Sequence, residues 1–411
     1  MGSLVKIIFP VKKLPKLRLL PLNTKLLIPL FVIVVILLGV TSYLLYINSE
    51  TYKKLQASNV TNESLSKELI RLNTDFETLK NTDQVKRNDE LEKTIKDIQK
   101  TFTESISTYE AMVDLPATTK ELPNYRKQFA KVLKYLSDKN YSSGAAELTV
   151  LKTSVEKEKA ALIAASGGID TANLTKSTTP PGSGYSRQVA EVNGTSYIVD
   201  IVAGNLGSTR VIVDTASDSD CRDNCPVLPL GSYVSRNGAY AGINGSYFCP
   251  ADYPSCAGKA NSFDTLAMGK NKHYHNSDNN VYSTVPLVVF GSGFVRFVGQ
   301  SSGWGRDTGV DGVLANQPLL VSGGNSVFGG DGDPKKGSKG NRSFVANKGN
   351  TVYIGVIRNV TVAEAALVLK AMGMEGALNL DSGGSTALWA NGGYKAGPGR
   401  SIPNAILFVN K

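Results

Sequence analysis

The sequence predicts an α+β domain at the C-terminal end, with a mixed sheet and packed helices, after a transmembrane helix and an all-α region. A charge-free apolar run at residues 26–47 predicts the first helix, and apolar residues at helical spacing in 48–165 predict the second part. Only three of the 40 glycines lie in the first 165 residues. Helices tolerate glycine poorly and turns between strands need it, so the remaining glycines indicate a turn-rich domain over 187–411.

Residues 26–47 have the length of a membrane span. The run LLIPLFVIVVILLGVTSYLLYI holds no charge and could cross about 30 Å of hydrocarbon. Residues 1–25 carry six basic side chains and no acidic one. We therefore expect an uncleaved signal anchor with 1–25 as a cytoplasmic tail, the rest of the chain outside a cell membrane, and a single pass; a cleaved signal peptide is the alternative. This basic segment accounts for most of the net charge of +10, so no nucleic-acid partner is expected.

Residues 48–165 predict an extracytoplasmic helical stalk or bundle. Apolar residues recur at spacings of three and four from Leu65 to Leu79 and again from Leu91 to Met112. The polar segment 80–90 breaks this phase, which leaves open a continuous helix or a folded-back bundle. A homo-oligomer through the stalk, a partner-binding bundle and a plain spacer all fit the pattern. Residues 166–186 are rich in Ser, Thr, Gly and Pro and predict a flexible linker.

The cysteines indicate disulfide bonds outside the cytoplasm. They all follow the apolar run, at Cys221, Cys225, Cys249 and Cys256. Of the three pairings, we favour the two local ones, 221 with 225 and 249 with 256. A four-cysteine zinc site lacks the usual two-residue spacing. The only histidines, His273 and His275, lie in a polar stretch that predicts an exposed turn, and we expect no metal and no cofactor.

One segment near the C-terminus has the pattern of a ligand site. Thr361 and Glu364 form a capping box that opens an apolar helix, and a short buried strand at 377–380 then leads to Asp381. The segment 382–386, SGGST, offers bare backbone N–H groups and hydroxyls beside that carboxylate. Such a turn could hold an anionic or sugar ligand, although Asp and Gly pairs also form ordinary turns.

Five elements in this order resemble the phosphodiester glycosidase domain family, whose uncovering enzyme removes N-acetylglucosamine from phosphodiester-linked mannose. They are GINGSYF at 242–248, QPLLVSG at 317–323, NRS at 341–343, NLDSGGST at 379–386 and RSIPNA at 400–405. The resemblance covers a little over half of the chain, and it departs from the family pattern at Ser246 and Ser382, where glycine is usual. It implies hydrolysis of a sugar-1-phosphodiester at the anomeric carbon, with release of a phosphomonoester.

The resemblance also implies roles for individual residues. Asp381 would be the base or nucleophile, Arg342 the phosphate clamp, and Asn244 a ligand to a sugar hydroxyl or a support for Asp381. The substrate-binding residues would be Gly245, Gly383, Gly384, Ser385, Thr386 and Arg400. Most glycosidases use two carboxylates. The candidates for the second, which the sequence does not rank, are Asp264, Asp307 and Asp311.

The sequence therefore predicts a membrane-anchored extracytoplasmic glycosidase that acts on sugar-1-phosphodiester linkages in envelope glycans or glycolipids. Two alternatives from other classes are open. One is a non-catalytic glycan-binding or adhesive module, and the other is an envelope scaffold that acts through the helical stalk.

Overall fold

The computed structural model describes residues 24–116, 119–167, 174–275 and 284–411, so most of the predicted tail 1–25 lies outside the described residues. The chain divides into two compact units between Thr94 and Ile95. The helices are α1 (Thr24–Lys80), α2 (Asp83–Val113), α3 (Leu122–Ser137), α4 (Tyr141–Gly167), α5 (Leu230–Asn237), α6 (Pro334–Gly337) and α7 (Val362–Ala371).

Helix α1 contains the predicted span and continues well beyond it. Among the described residues it is the one helix long and apolar enough to cross a membrane, and its large apolar side chains from Leu30 to Ile47 are exposed. A helix with such a surface suits either a membrane anchor or a signal sequence. The helix ends at Lys80 and α2 begins at Asp83, so the phase break seen in the sequence corresponds to a break in the helix.

The second unit begins with a small helical bundle. The end of α2 packs with α3 and α4 around buried side chains that include Met112, Leu122, Tyr125, Leu151 and Val155. Pro123 lies in the first turn of α3, where its missing N–H has no partner to lose. The predicted all-α region is confirmed.

Eighteen strands in the described residues form three sheets. The eight-stranded sheet has, in spatial order, β1 (Thr175–Lys176), β2 (Gly184–Val192), β3 (Thr195–Asn205), β14 (Thr351–Val360), β13 (Gly340–Lys348), β15 (Gly376–Asn379), β11 (Leu319–Ser322) and β12 (Asn325–Ser326). The second sheet has β17 (Gly393–Ala396), β16 (Leu388–Ala390), β5 (Ala241–Asn244), β18 (Asn404–Asn410) and β4 (Thr209–Thr215). The third has β7 (Tyr274–His275), β6 (Ala267–Met268), β10 (Gly312–Ala315), β8 (Leu287–Gly291) and β9 (Phe294–Val298).

The three sheets enclose one apolar core, and two of them carry a helix on the outer face. Side chains of all three sheets meet in this core, among them Ile354, Ile243 and Val288. Helix α7 covers the other face of the eight-stranded sheet, and α5 packs with Leu407 of the second sheet. Only β1 with β2 pairs in parallel among the strand pairs of the described residues, so the predicted α+β domain with a mixed sheet is confirmed.

Two features differ from the sequence-based picture or refine it. Strand β1 lies within the segment 166–186, predicted as a linker, and pairs with Gln188 and Val189 of β2. The segment 168–173 lies outside the described residues. His275 is fully buried on β7, so the prediction of an exposed turn is wrong for this residue, because the Phe263 ring stacks on its imidazole.

Both local disulfides are present. Cys221 bonds Cys225 and Cys249 bonds Cys256, with Cα–Cα distances of 5.6 and 5.4 Å. These distances lie in the normal range for disulfides, and the predicted pairing is confirmed. Each bond closes a loop beside one of the two sites described below.

Candidate active site

Strand β15 delivers Asp381 to the centre of the candidate site. Leu378 and Ala377 of β15 are buried and pair with Val345 and Ala346 of β13, so the strand is held on both faces and along its edge. The chain leaves the sheet at Leu380, and the Asp381 N–H donates to the Gly245 carbonyl at 3.0 Å. The predicted buried strand that ends in a carboxylate is therefore present.

Asn244 fixes the backbone around Asp381. It ends β5, is fully buried, and donates from Nδ2 to the Asp381 carbonyl at 2.6 Å. Its Oδ1 accepts from the Ser343 hydroxyl at 2.9 Å and from the Ala387 N–H at 3.0 Å. Because both ends of the amide are engaged with protein groups, the geometry favours Asn244 as a support for Asp381 over a direct contact with a sugar hydroxyl.

Gly245 is required by close packing. A Cβ at this position would lie 1.8 Å from Oδ1 of Asn404, which is far inside any tolerated contact. Asn404 in turn accepts from the Ser246 N–H at 2.9 Å and donates to the Ser246 hydroxyl at 3.0 Å. Ser246, which stands where the family usually has glycine, therefore helps to hold this turn in place.

The second departure from the family pattern, Ser382, has a similar role. Its hydroxyl accepts from the Ser343 N–H at 3.2 Å and donates to the Leu380 carbonyl at 3.2 Å. Its own N–H donates to Oδ1 of Asp381 at 2.8 Å. The Ser382 side chain therefore joins β13 to the end of β15 beside the carboxylate.

The glycine pair after Ser382 lets other groups approach the backbone. Gly383 has φ +68°, a conformation that other residues rarely adopt. A Cβ on Gly384 would lie 2.4 Å from Nη2 of Arg400 and 2.9 Å from Oδ1 of Asp114. The Arg400 N–H donates to the Gly384 carbonyl at 2.8 Å, which holds that residue against the turn. The bare backbone predicted as a ligand cradle thus faces a cation and a second carboxylate.

Asp114 reaches the site from the helical bundle. It follows the last residue of α2, and its carboxylate forms an ion pair with the Arg400 guanidinium. The Tyr253 hydroxyl donates to the same oxygen at 2.7 Å, while the Arg400 guanidinium stacks 5.0 Å from the centre of the Tyr253 ring. A carboxylate from the helical part of the chain therefore forms an ion pair with a guanidinium of the sheet domain.

A disulfide-closed loop presents these partners to α2. The bond between Cys249 and Cys256 closes the loop that contains Tyr253 and Ser255. The Ser255 hydroxyl and N–H both approach Oε1 of Glu110, one helical turn before Asp114. The contact between α2 and the site thus has two polar points of attachment.

Arg342 has a different environment. Its Nε donates to the Val360 carbonyl at 3.2 Å, and its Nη2 donates to the carbonyls of Lys335 and Ser338. Burial lowers the pKa of its guanidinium, although nearby Tyr247 and Asp333 oppose this effect. Arg342 therefore holds the segment around α6 in place and brings a positive charge near Tyr247.

The Asp381 carboxyl has a raised pKa of about 7. Burial is the main cause, because a charged carboxylate loses hydration there, and the negative charge of Asp114 adds to it. The Ser385 hydroxyl, the Ser382 N–H and Arg400 act in the opposite direction. A carboxyl with this pKa exists in both protonation states near neutral pH, which suits acid–base chemistry.

The three candidates for a second carboxylate have distinct surroundings. Asp311 is paired with Arg210 at 2.8 Å, and Asp307 caps its own turn through the Gly309 N–H at 2.7 Å. The Asp264 N–H donates to the Tyr247 carbonyl at 3.3 Å, which attaches it to the 242–248 element, and burial raises the pKa of its carboxyl. Asp264 is therefore the member of this set that the backbone ties to the site.

The structure brings together most of the residues predicted from sequence. Those joined to Asp381 by direct contacts or by the 383–386 turn are Asn244, Gly245, Gly383, Gly384, Ser385, Thr386 and Arg400. Sequence reasoning missed Asp114 and Tyr253, and it treated the helical region as separate from the site. Their patterns carry no local signal, because an acidic residue at the end of a helix is ordinary and only packing brings it to Arg400.

The match to a family model agrees with the motifs. Residues 237–409 match the family model described as phosphodiester glycosidase. No curated protein matches the chain.

Two solved structures match part of this chain at low identity. The catalytic domain of zebrafish N-acetylglucosamine-1-phosphodiester alpha-N-acetylglucosaminidase, described as auto-inhibited by its pro-peptide, is 15% identical with a TM-score of 0.43. That match covers 57% of this chain and 85% of the zebrafish chain. A hypothetical protein from Synechocystis is 12% identical with a TM-score of 0.39, and the match covers 55% of this chain and 62% of the other, less than two thirds of its length.

The resemblance inferred from the five sequence elements is confirmed by the family match, which includes Asn244, Arg342, Asp381 and Arg400. Residues 237–409 of this chain thus match the phosphodiester glycosidase family.

Proposed function

We propose that this protein hydrolyses glycosyl phosphodiesters, with Asp381 as the base or nucleophile and Arg400 as the principal phosphate clamp. The observation that carries the proposal is the pairing of Arg400 with Asp114 beside Asp381. The Arg400 guanidinium already binds one anionic group, so it can also bind a phosphate. The Asp381 carboxyl beside it has a pKa of about 7 and can act on the sugar.

The chemistry requires little proton donation to the leaving group. Attack at the anomeric carbon breaks the bond between that carbon and the phosphate oxygen, and the phosphate leaves as a stable anion. A cation on the phosphate oxygens stabilises the charge that develops on them. Arg400 would therefore assist the departure of the leaving group, which a protonated carboxyl does in other glycosidases.

The Asp114 carboxylate occupies the guanidinium that the substrate phosphate would bind. Carboxylate and phosphate both offer paired oxygens to an arginine fork. Substrate would therefore compete with Asp114 for Arg400, and α2 would control access to the clamp. Arg342, whose donors hold carbonyl oxygens, would act as a second positive charge and as the anchor of the segment that carries Lys335.

We place this activity outside the cytoplasm, anchored by residues 26–47. Two disulfides in the sheet domain fit an oxidising compartment, and α1 carries an exposed apolar segment of spanning length. The substrates would then be sugar-1-phosphodiester linkages in envelope glycans or glycolipids.

The test is turnover by the full chain, purified in detergent, on a panel of sugar-1-phosphodiesters. Wild-type protein should release free sugar and a phosphomonoester, and Asp381→Asn should lose at least about 1,000-fold in kcat, since the reacting carboxylate is gone. The matched control is Asp138→Asn, an exposed carboxylate after α3 that is paired with Lys134, which should keep its activity. Sugar binding on a glycan array without any turnover would instead support the binding module.

A further inference from the structure

Two segments of the sheet domain bring Asp220, His273 and His275 together, apart from the residues assigned to catalysis. The histidines flank Tyr274 at β7, and alternate residues of an extended segment point to the same side. Asp220 lies in the loop after β4, directly before Cys221. One ligand atom from each of the three residues lies within 4.8 Å of the others, and His273 Nε2 is 3.7 Å from Oδ1 of Asp220.

Three histidine nitrogens at this cluster have no hydrogen-bond partner among the residues that the structure describes. His275 has no exposed surface, and neither of its ring nitrogens meets hydrogen-bond geometry with any described residue. The Nε2 atom of His273 is also buried and has no such partner among the described residues. A buried polar atom without a partner costs about 1–3 kcal/mol, so these nitrogens are expected to have a ligand.

The surrounding contacts hold the cluster in a fixed geometry. The bond between Cys221 and Cys225 closes the loop that begins next to Asp220. The Asn271 amide donates to the Asp218 carbonyl at 3.2 Å, which ties this loop to the segment that carries the histidines. The Phe263 ring stacks on the His275 ring with centroids 4.9 Å apart, so the His275 ring has little freedom to turn away.

We propose that Asp220, His273 and His275 bind one divalent transition-metal ion, with zinc as the best fit. Two imidazoles and one carboxylate are typical zinc ligands, at about 2.0–2.2 Å from the ion. The 3.7 Å between His273 and Asp220 is shorter than two such bonds, so one ion can contact both. Calcium and magnesium prefer sites built from oxygen atoms alone, which this cluster does not offer.

The metal would join the disulfide-closed loop to β7. The three ligands come from two segments that are far apart in sequence, so they meet only in the folded chain. An ion that binds only the folded state stabilises it. The inference does not depend on the proposed hydrolase activity.

The experiment measures zinc binding by the untagged full chain in detergent, after chelator treatment and removal of the chelator. Titration calorimetry with zinc chloride should give one ion per chain, and zinc should raise the melting temperature until excess chelator is added. Asp220→Asn and His273→Gln should each weaken binding at least about tenfold and lose the thermal shift. These two residues are partly exposed, so both variants should fold, which circular dichroism checks.

The matched control is Asp218→Asn. It removes the same charge from the same loop but changes no proposed ligand, and it should bind zinc as the wild type does. Absence of binding at millimolar zinc would overturn the proposal. Equal affinity in Asp220→Asn, His273→Gln and Asp218→Asn would overturn it as well, since the bound ion would then lie elsewhere.

Discussion

Arg400 and Arg342 are both assigned to the substrate site by the sequence, and they have opposite environments. Arg400 pairs with a carboxylate from another part of the chain and stacks on Tyr253. Arg342 donates to three backbone carbonyls within its own neighbourhood. The backbone carbonyl oxygens bound to Arg342 are part of the fold and cannot be displaced by a ligand. The Asp114 carboxylate bound to Arg400 can be exchanged for another anion. We therefore propose that Arg400 serves substrate binding, whereas Arg342 holds the local structure in place.

The largest effect that would sharpen this contrast is expected from Arg400→Ala. Loss of the clamp should lower kcat/KM about 100–1,000-fold, because the phosphate loses a charge-assisted contact that strengthens as the bond breaks. Arg400→Lys should restore only part of this, since an ammonium lacks the planar fork. Steady-state kinetics on the best substrate of the panel measure both.

The control for this experiment is Arg210→Ala. Arg210 forms an ion pair with Asp311 and pairs with Val409, at the other end of β18 from Asn404. Its removal should leave kcat/KM within about twofold. If Arg400→Ala and Arg210→Ala had equal kinetics, Arg400 would be no clamp.

The next effect concerns the pH dependence of the reaction. Asp381 must be ionised to act as base or nucleophile, and its pKa is about 7. The rate should therefore fall about tenfold for each pH unit below 7 and reach a plateau above about pH 8. A rate that instead falls as the pH rises through 7 would show that the protonated carboxyl is the active form. The measurement is kcat/KM from pH 5 to 9.

The same shift has a consequence for stability. Because the folded-state pKa of Asp381 is raised above the usual 3.8, folding favours the protonated carboxyl, and this contribution is lost as the pH rises through about 7. Asp381→Asn cannot ionise, so its melting temperature should exceed that of the wild type at pH 8 and approach it at pH 4. Thermal melts of both proteins across this range test the sign.

Arg342→Ala should affect stability more than binding. It leaves the carbonyls of Val360, Lys335 and Ser338 without their donor, which should cost about 2 kcal/mol of unfolding free energy. Arg342→Lys keeps the charge, so it separates the electrostatic contribution from the hydrogen bonds. Denaturant unfolding and KM are measured for both variants. A large rise in KM at unchanged stability would break the comparison, because Arg342 would then be the clamp predicted from the sequence.

The smallest effect is expected from Asp114→Asn. An amide pairs more weakly with Arg400, so substrate should meet less competition and KM should fall a few-fold. The pKa of Asp381 should also fall, since the Asp114 charge raises it, and the acidic limb of the pH profile should move to lower pH. Asp97→Asn, which changes an exposed carboxylate earlier on α2, is the control and should change neither value. A loss of kcat in Asp114→Asn would make Asp114 a second catalytic carboxylate and not a gate.

Much of the site could be predicted because its parts are local in sequence. The run 377–386 contains strand, carboxylate and glycine turn in one stretch, and the pattern of apolar and turn residues indicates each of them. The local disulfides followed from short spacings between cysteines. Asp114, Tyr253 and the burial of His275 could not be predicted, because each depends on which distant segment packs beside it.

The sequence by itself determined the apolar helix, the helical region, the turn-rich domain and the order of the family elements, since these depend on composition and on the periodicity of apolar residues along the chain. Only the tertiary structure decided that the end of α2 meets Arg400, and that Asp220 meets two histidines more than 50 residues further along. The physical reason is that periodicity specifies which face of an element is buried. Which other element covers that face is decided by packing among segments that are far apart in the chain.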